Sequence, residues 1–292
     1  MFDKSILESI NNVDSLADML RAAYSIEEWD TMIHVADRLY SSIQKLYEEG
    51  QLRQAKGQSN IKTNLKRTIA YYFGFSMTAK GIALQKMGDY AAARNCIKRY
   101  AELGWIYGLD KKGQEEVAYY KMLARANTYV LDLLEGKTDT LSEYVQFIHQ
   151  SEVEELLPGI ITILESALVH NYNIDWVLEE FKSDLDALDG EYETDVNKRY
   201  YIDHLYYMAL YFFKNGNIHH ALNITIKGLR MSDKLRDNTG FKKLNALFIS
   251  FRIHATKEQQ EKYDGLNKNI LGRVLKDEKG ILYAGGSIVS AR

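Results

Sequence analysis

The sequence predicts an all-α chain built of helical hairpins packed one on another. Three observations carry that expectation. The 292 residues contain one proline, Pro158, whereas average usage is about 5% and proline breaks helix interiors. Apolar residues recur at three- and four-residue steps along most of the chain, the period of a buried helical stripe. Finally, one pattern appears twice: a small residue, a run of large ones, a glycine turn, then small and large again. Its first copy is Ser76 to Trp105 (SMTAKGIALQKMGDYAAARNCIKRYAELGW), its second Leu205 to Met231 (LYYMALYFFKNGNIHHALNITIKGLRM).

Residues 3–49 read as two or three helices, with Trp29, Met32, Ile33, Ala36, Leu39 and Tyr40 forming one stripe. Gly50 to Asn60 (GQLRQAKGQSN) loses the stripe and reads as a loop. A long helix from about Ile61 to Met87 leads into the turn at Gly88, and Gly113 to Gly136 and Leu141 to Gln150 are the next helices. Ser151 with Glu154 has the form of a capping box, which predicts a helix start there, with Pro158 early in that helix. Trp176 to Leu188 reads as one shorter helix and Glu193 to Asn215 as a long tyrosine-rich one. Thr256 with Gln259 is a second capping box, ahead of a last helix over 257–269. From Gly272 onward the helical period fades. Ile281-Leu282-Tyr283 and Ser287-Ile288-Val289 flank Ala284-Gly285-Gly286, which suits either a small hairpin or a frayed tail. The organisation expected is an N-terminal helical segment and loop (1–60), a repeat array (61–270) and a C-terminal tail (271–292).

Gly81 lies seven residues before Gly88 and Ala93 five after it; Ala209 and Ala221 stand in the same relation to Gly216. This order resembles the tetratricopeptide (TPR) unit, a hairpin that cannot bury its own apolar faces and stacks on its neighbours. The resemblance implies TPR-like hairpins stacked as a right-handed superhelix, an α-solenoid.

Chemistry is hard to find in the chain. Net charge is −3, so no global basic field draws it to nucleic acid or an anionic membrane. No apolar run reaches the roughly 18 residues of a membrane span, and Met1-Phe2-Asp3-Lys4 lacks a signal peptide's apolar core. The lone cysteine, Cys96, excludes an internal disulfide, suits a reducing cytoplasm and reads as packing. Phosphate-loop, dinucleotide, nucleophile-elbow and zinc-helix motifs are all missing. His219 and His220 are adjacent and so face different sides of a helix. The reading is of a non-enzyme with no cofactor and no metal. Leu16 to Ile33 echoes a helix-turn-helix, with Ala17 well placed. However, Arg21 occupies the turn position, and the second helix opens on Glu27, Glu28 and Asp30, which phosphates would repel. Arg53, Lys56, Lys62, Lys66 and Arg67 form the better electrostatic candidate for DNA, or simply a solvated face.

In TPR hairpins the first helix of each pair lines a concave groove. Here those helices carry Thr78, Ile82, Gln85 and Lys86, then Tyr206, Tyr207, Leu210, Phe213 and Lys214. Tyrosine offers apolar area with a hydrogen-bonding tip, and Asn127, mid-helix among apolar neighbours, offers an amide that could read a peptide backbone. The candidate peptide- or partner-binding residues are therefore Lys86, Asn127, Tyr206, Tyr207 and Lys214. Tyr206 and Tyr207 equally suit inter-helix packing, and Asn127 a buried structural amide.

WDTMIHVADRLY (Trp29 to Tyr40), the Gly88 to Trp105 segment with its terminal Leu-Gly-Trp, and Glu155 to Glu165 (ELLPGIITILE) are similar to segments of stand-alone TPR-like chains of bacilli. More broadly, the chain resembles the sensor part of Gram-positive peptide-binding regulators, the Rap-type and quorum-sensing TPR proteins. The resemblance implies a cytoplasmic regulator that binds a short peptide or a partner's extended segment, with a homodimer left open. The chain departs from the DNA-binding members in lacking a clear helix-turn-helix. The alternative is a transcription regulator that contacts DNA through an atypical basic surface.

Overall fold

The computed structural model describes residues 12–58, 65–188, 195–277, 281–284 and 287–290. Helix dominates them, and the chain separates into two units, Met1–Phe147 and Ile148–Arg292.

The first unit contains α1 (Val13–Ser25), α2 (Trp29–Ala55), α3 (Ile69–Lys86), α4 (Tyr90–Ala101) and α5 (Lys111–Leu134). The next helix, α6 (Leu141–His149), carries the boundary. Consecutive helices pack together, and α3 also touches both α1 and α5. The core runs through them from Leu16, Leu20 and Leu39 to Phe73, Met77, Tyr100 and Leu131. Two tyrosines fasten α1 to α3: Tyr72 donates its hydroxyl to Asp14, and Arg21 donates to the Tyr71 hydroxyl at 2.6 Å.

The second unit contains α7 (Leu156–His170), the short α8 (Asp175–Glu180) and α9 (Lys182–Ala187), then α10 (Asp195–Lys214), α11 (Ile218–Leu235), α12 (Asn238–Phe251) and α13 (Lys257–Asp277). Here α10 packs on α7, α11 and α12, and α11 on α12 and α13. An antiparallel hairpin of β1 (Ile281–Ala284) and β2 (Ser287–Ser290) follows, pairing Leu282 with Val289 and Tyr283 with Ile288.

One closure ends helix after helix. After α3, the Gly88 N–H donates to the Gln85 carbonyl and the Asp89 N–H to that of Leu84. After α10, Gly216 and Asn217 donate to Phe213 and Phe212 in the same way. This pair of bonds needs a left-handed residue just beyond the helix. Gly88 (φ 83) and Gly216 (φ 78) supply it without a Cβ penalty, as do Gly57 and Gly136, while Glu27 (φ 58) and Arg236 (φ 58) adopt it despite their side chains. An acid often starts the next helix: Asp89, Asp110 and Asp237 each accept a backbone N–H at the first turn.

The small residues sit where helices approach. A Cβ added at Gly81 would lie 3.3 Å from that of Cys96 on α4, and Ala93, Ala209 and Ala221 are buried. Two glycines inside helices also seat neighbours: a Cβ at Gly74 would enter the Tyr120 ring, and one at Gly228 would meet Leu244 at 2.8 Å.

Several expectations are corrected. The loop expected from Gly50 begins later, because α2 continues to Ala55 through residues of good helix propensity; Lys56, Gly57 and Gln58 form the turn, and Ser59 and Asn60 lie outside the described residues. The helix expected from Ile61 starts at Ile69, where the Thr68 hydroxyl caps Tyr71 N–H; residues 61–64 are outside the described set. The Ser151 box does not open a helix. A 3-10 turn, Val153–Glu155, intervenes and α7 begins at Leu156, so Pro158 sits in its first turn, where its missing N–H costs little. The Trp176–Leu188 helix is broken at Phe181, whose ring is buried and stacked on His149 at 4.3 Å; its expected end near Gly190 is not among the described residues. The last helix runs on to Asp277. The Leu16–Ile33 echo fails as a helix-turn-helix, since α1 passes unbroken through Arg21 and turns at Glu27. The Thr256 box holds: Thr256 N–H donates to Gln259 Oε1 at 3.1 Å and Gln259 N–H to Thr256 Oγ1 at 3.2 Å.

Three substitutions test this packing. Gly216→Ala meets no steric obstacle but forces an alanine into the left-handed region, and should lower unfolding free energy by about 1–2 kcal/mol. Gly265→Ala, in open space within α13, should raise it by about 0.5–1 kcal/mol. Ala93→Leu should overpack the α3–α4 contact and cost roughly 1–3 kcal/mol. Urea denaturation reads all three, and equal midpoints for the two glycine variants would contradict the turn geometry.

Candidate functional site

The residues singled out in the sequence fall in both units, Lys86 and Asn127 in the first and Tyr206, Tyr207 and Lys214 in the second. Each group is described within its own unit.

In the first unit, α3 presents Thr78, Gly81, Ile82 and Gln85 on one face, over Ala93, Ile97 and Tyr100 of α4 and beside Asn127 and Leu131 of α5. The space they enclose is about 10 Å³, the size of one water molecule and too small for a peptide side chain. Asn127 Nδ2 donates to the Tyr100 hydroxyl at 2.8 Å, tying α5 to α4. Burial pushes the Tyr100 phenol above its usual range, and the Asn127 hydrogen bond works against that shift. Lys86 is exposed in the last turn of α3, a favourable place for a cation against the helix dipole. On the neighbouring surface, Arg94 reaches Asp132 at 2.7 Å and Glu135 at 2.6 Å, bracing α4 against the end of α5; its hydrogen bond holds the Glu135 carboxyl below the usual range.

The second unit holds a concavity large enough for a ligand. Leu168 and Val169 at the end of α7, Tyr207, Leu210 and Phe213 on α10 and Phe251 at the end of α12 line a groove of about 500 Å³. Its lining is predominantly apolar, with Glu165 and Lys214 as the charged members. Val169 is 67% exposed, and Phe213 and Phe251 stack with ring centroids 3.9 Å apart. On α10, Tyr207, Leu210 and Phe213 follow one another at three-residue steps, which puts them on one face. The Lys214 ammonium donates to the Leu168 carbonyl at 2.6 Å, capping α7 and fixing the groove's floor. Tyr211, on another face, accepts the Ile174 N–H at 3.1 Å and donates to Asp175 at 2.9 Å, which anchors the short helices to α10. Burial raises its pKa.

Of the three α10 candidates, Tyr207 and Lys214 line this groove. Tyr206 turns toward α12, where the Lys243 ammonium lies 5.8 Å from its ring centre. Leu168, Val169 and Phe251 escape a reading of the sequence as site residues. They belong to elements distant in sequence, and no local pattern announces that their helix ends meet α10. Gln259 is legible as a capping residue, but its second role is not. It is buried and donates to the His219 carbonyl and to Asn223 Oδ1, both at 2.8 Å, locking α13 to α11.

Among the described residues, no group of three or more His, Cys, Asp or Glu is placed to hold a metal ion, and no helix is long and apolar enough to cross a membrane. Compared with protein families, curated proteins and solved structures, the chain matches none.

The Asn127–Tyr100 bond gives a direct test. Asn127→Ala and Tyr100→Phe should each cost about 1 kcal/mol, and the double variant little more than either alone. Additive losses would mean that the two side chains act separately.

Proposed function

We propose that this chain is a non-enzymatic regulatory protein of TPR-like build, and that the groove on α10 binds a short apolar peptide or the extended segment of a partner protein. The observation that carries this reading is the contiguous apolar lining contributed by α7, α10 and α12, in which Val169 is exposed and Leu168, Tyr207, Leu210 and Phe251 are half-buried. Soluble proteins seldom leave such surfaces contiguous unless they bind something. The groove's volume falls in the range of ligand sites. Stacked Phe213 and Phe251 form a rigid floor that loses little entropy on binding.

The repeat reading has its own support. In the first unit α3 touches α1 and α5, and in the second α10 touches α12 while α11 touches α13. Contacts between alternate helices are what stacked hairpins would make, and in a solenoid small changes at successive interfaces sum to a change in curvature. Binding across several helices would shift that curvature, which is how such a protein passes a signal without catalysis.

The test is selection from a random-sequence peptide library displayed on phage. Enriched peptides should be rich in apolar residues. They should also lose at least roughly tenfold in affinity for a Leu210→Asp variant, which places a charge against the apolar contact. Wild-type and variant proteins are compared by circular dichroism to hold the fold constant. No enrichment, or peptides that bind both proteins equally, would overturn the proposal.

A further inference from the structure

The Leu103-Gly104-Trp105 segment, singled out in the sequence, plays no part in the groove on α10. It forms one wall of a separate cleft in the first unit. The loop from Gly104 to Leu109 faces Gln54 of α2 and Gln114 of α5 across about 650 Å³ of open space. Two aromatic rings stand at its edge: Trp105 is 51% exposed and Tyr107 69%.

The Trp105 ring and the Tyr107 backbone are held in place. The Trp105 indole packs edge-on against Tyr47 and Phe73, at centroid distances of 5.5 and 5.1 Å. The Tyr107 N–H donates to the Tyr47 hydroxyl at 2.9 Å, and Ile106 is buried beneath. Gly104 and Gly108 leave the backbone on either side of the two rings bare, and nothing lies within 4 Å of where their Cβ atoms would be. None of the residues lining the cleft is charged.

We infer that this cleft is a docking site for an uncharged, proline-rich extended segment of a partner protein. Small-molecule sites enclose most of their ligand. This cleft is shallow, with Gln54 and Gln114 both exposed at its margin. An open site gains affinity from a ligand that is already rigid, and polyproline II is rigid and lacks internal hydrogen bonds. Proline-rich segments dock on aromatic-lined surfaces. Their carbonyls accept hydrogen bonds and their prolines carry no N–H, and each of the two lining glutamines brings an amide that can donate. The neutral lining matches a neutral segment and rewards no charged one.

Fluorescence anisotropy with labelled decaproline tests the inference, with a glycine-serine peptide of equal length as control. Decaproline should bind the full chain and the control should not. Tyr107→Ala and Gln114→Ala alter exposed side chains, so they should leave the melting midpoint unchanged while weakening binding roughly tenfold each. Equal binding of both peptides, or full affinity in both variants, would overturn the inference. So would binding of adenosine or riboflavin in place of decaproline, which would make the cleft a small-molecule pocket. Concentration-dependent dimerisation that protects Trp105 from quenching would overturn it in favour of a second copy.

Discussion

Close approach between helices is the constraint on which the rest of this structure depends. A hairpin of two amphipathic helices leaves apolar surface on both outer faces, and only neighbouring helices can cover it. The cover works where a small residue lets a backbone or a large ring come near. Gly74 is the plainest case. Glycine inside a helix costs about 1 kcal/mol against alanine, yet any side chain there would occupy the space of the Tyr120 ring. That ring is buried and its hydroxyl donates to the Tyr71 carbonyl on α3. Gly228 plays the matching part in the second unit, admitting Leu244 against α11. With the helices seated in this way, the same left-handed turn follows α3 and α10.

Much of this is legible in the sequence because it is local. The Gly88 and Gly216 turns announce themselves by a glycine between two stripes, and the Thr256–Gln259 box by two residues at fixed spacing. Small residues at Gly81, Ala93, Ala209 and Ala221 follow from their distance to those turns. The illegible parts are those decided by competition. Gly50 reads as a break, but its neighbours are good helix formers and the weak penalty of one glycine does not stop α2. Phe181 reads as one more apolar position in a helix, yet its ring is drawn onto His149 and the helix divides there. Ser151 with Glu154 has the spacing of a cap, and the chain forms a 3-10 turn before α7 instead.

The candidate site divides along the same line. The face of α10 that carries Tyr207, Leu210, Phe213 and Lys214 can be drawn on a helical wheel. What lies opposite that face cannot, since Leu168, Val169 and Phe251 come from helices whose ends meet α10 only in three dimensions. Residue type alone also leaves Lys214 and Asn127 with two readings. Geometry gives each a structural role, the lysine capping α7 through the Leu168 carbonyl and the asparagine holding Tyr100. An ammonium has three donors and a primary amide two, so neither role exhausts the side chain.

A ligand entering the second unit would meet that double use directly. The Lys214 bond joins the last turn of α10 to the last turn of α7, and both turns line the groove. A peptide carbonyl arriving beside Lys214 would compete with the Leu168 carbonyl for the same ammonium. Apolar ligand side chains would meanwhile press on Leu210 and on the Phe213–Phe251 stack, which spans α10 and α12. On the proposed reading, occupancy would loosen one inter-helix tie and tighten another. Under the proposed repeat reading, that would be a change of angle at two interfaces of α10 rather than a local adjustment.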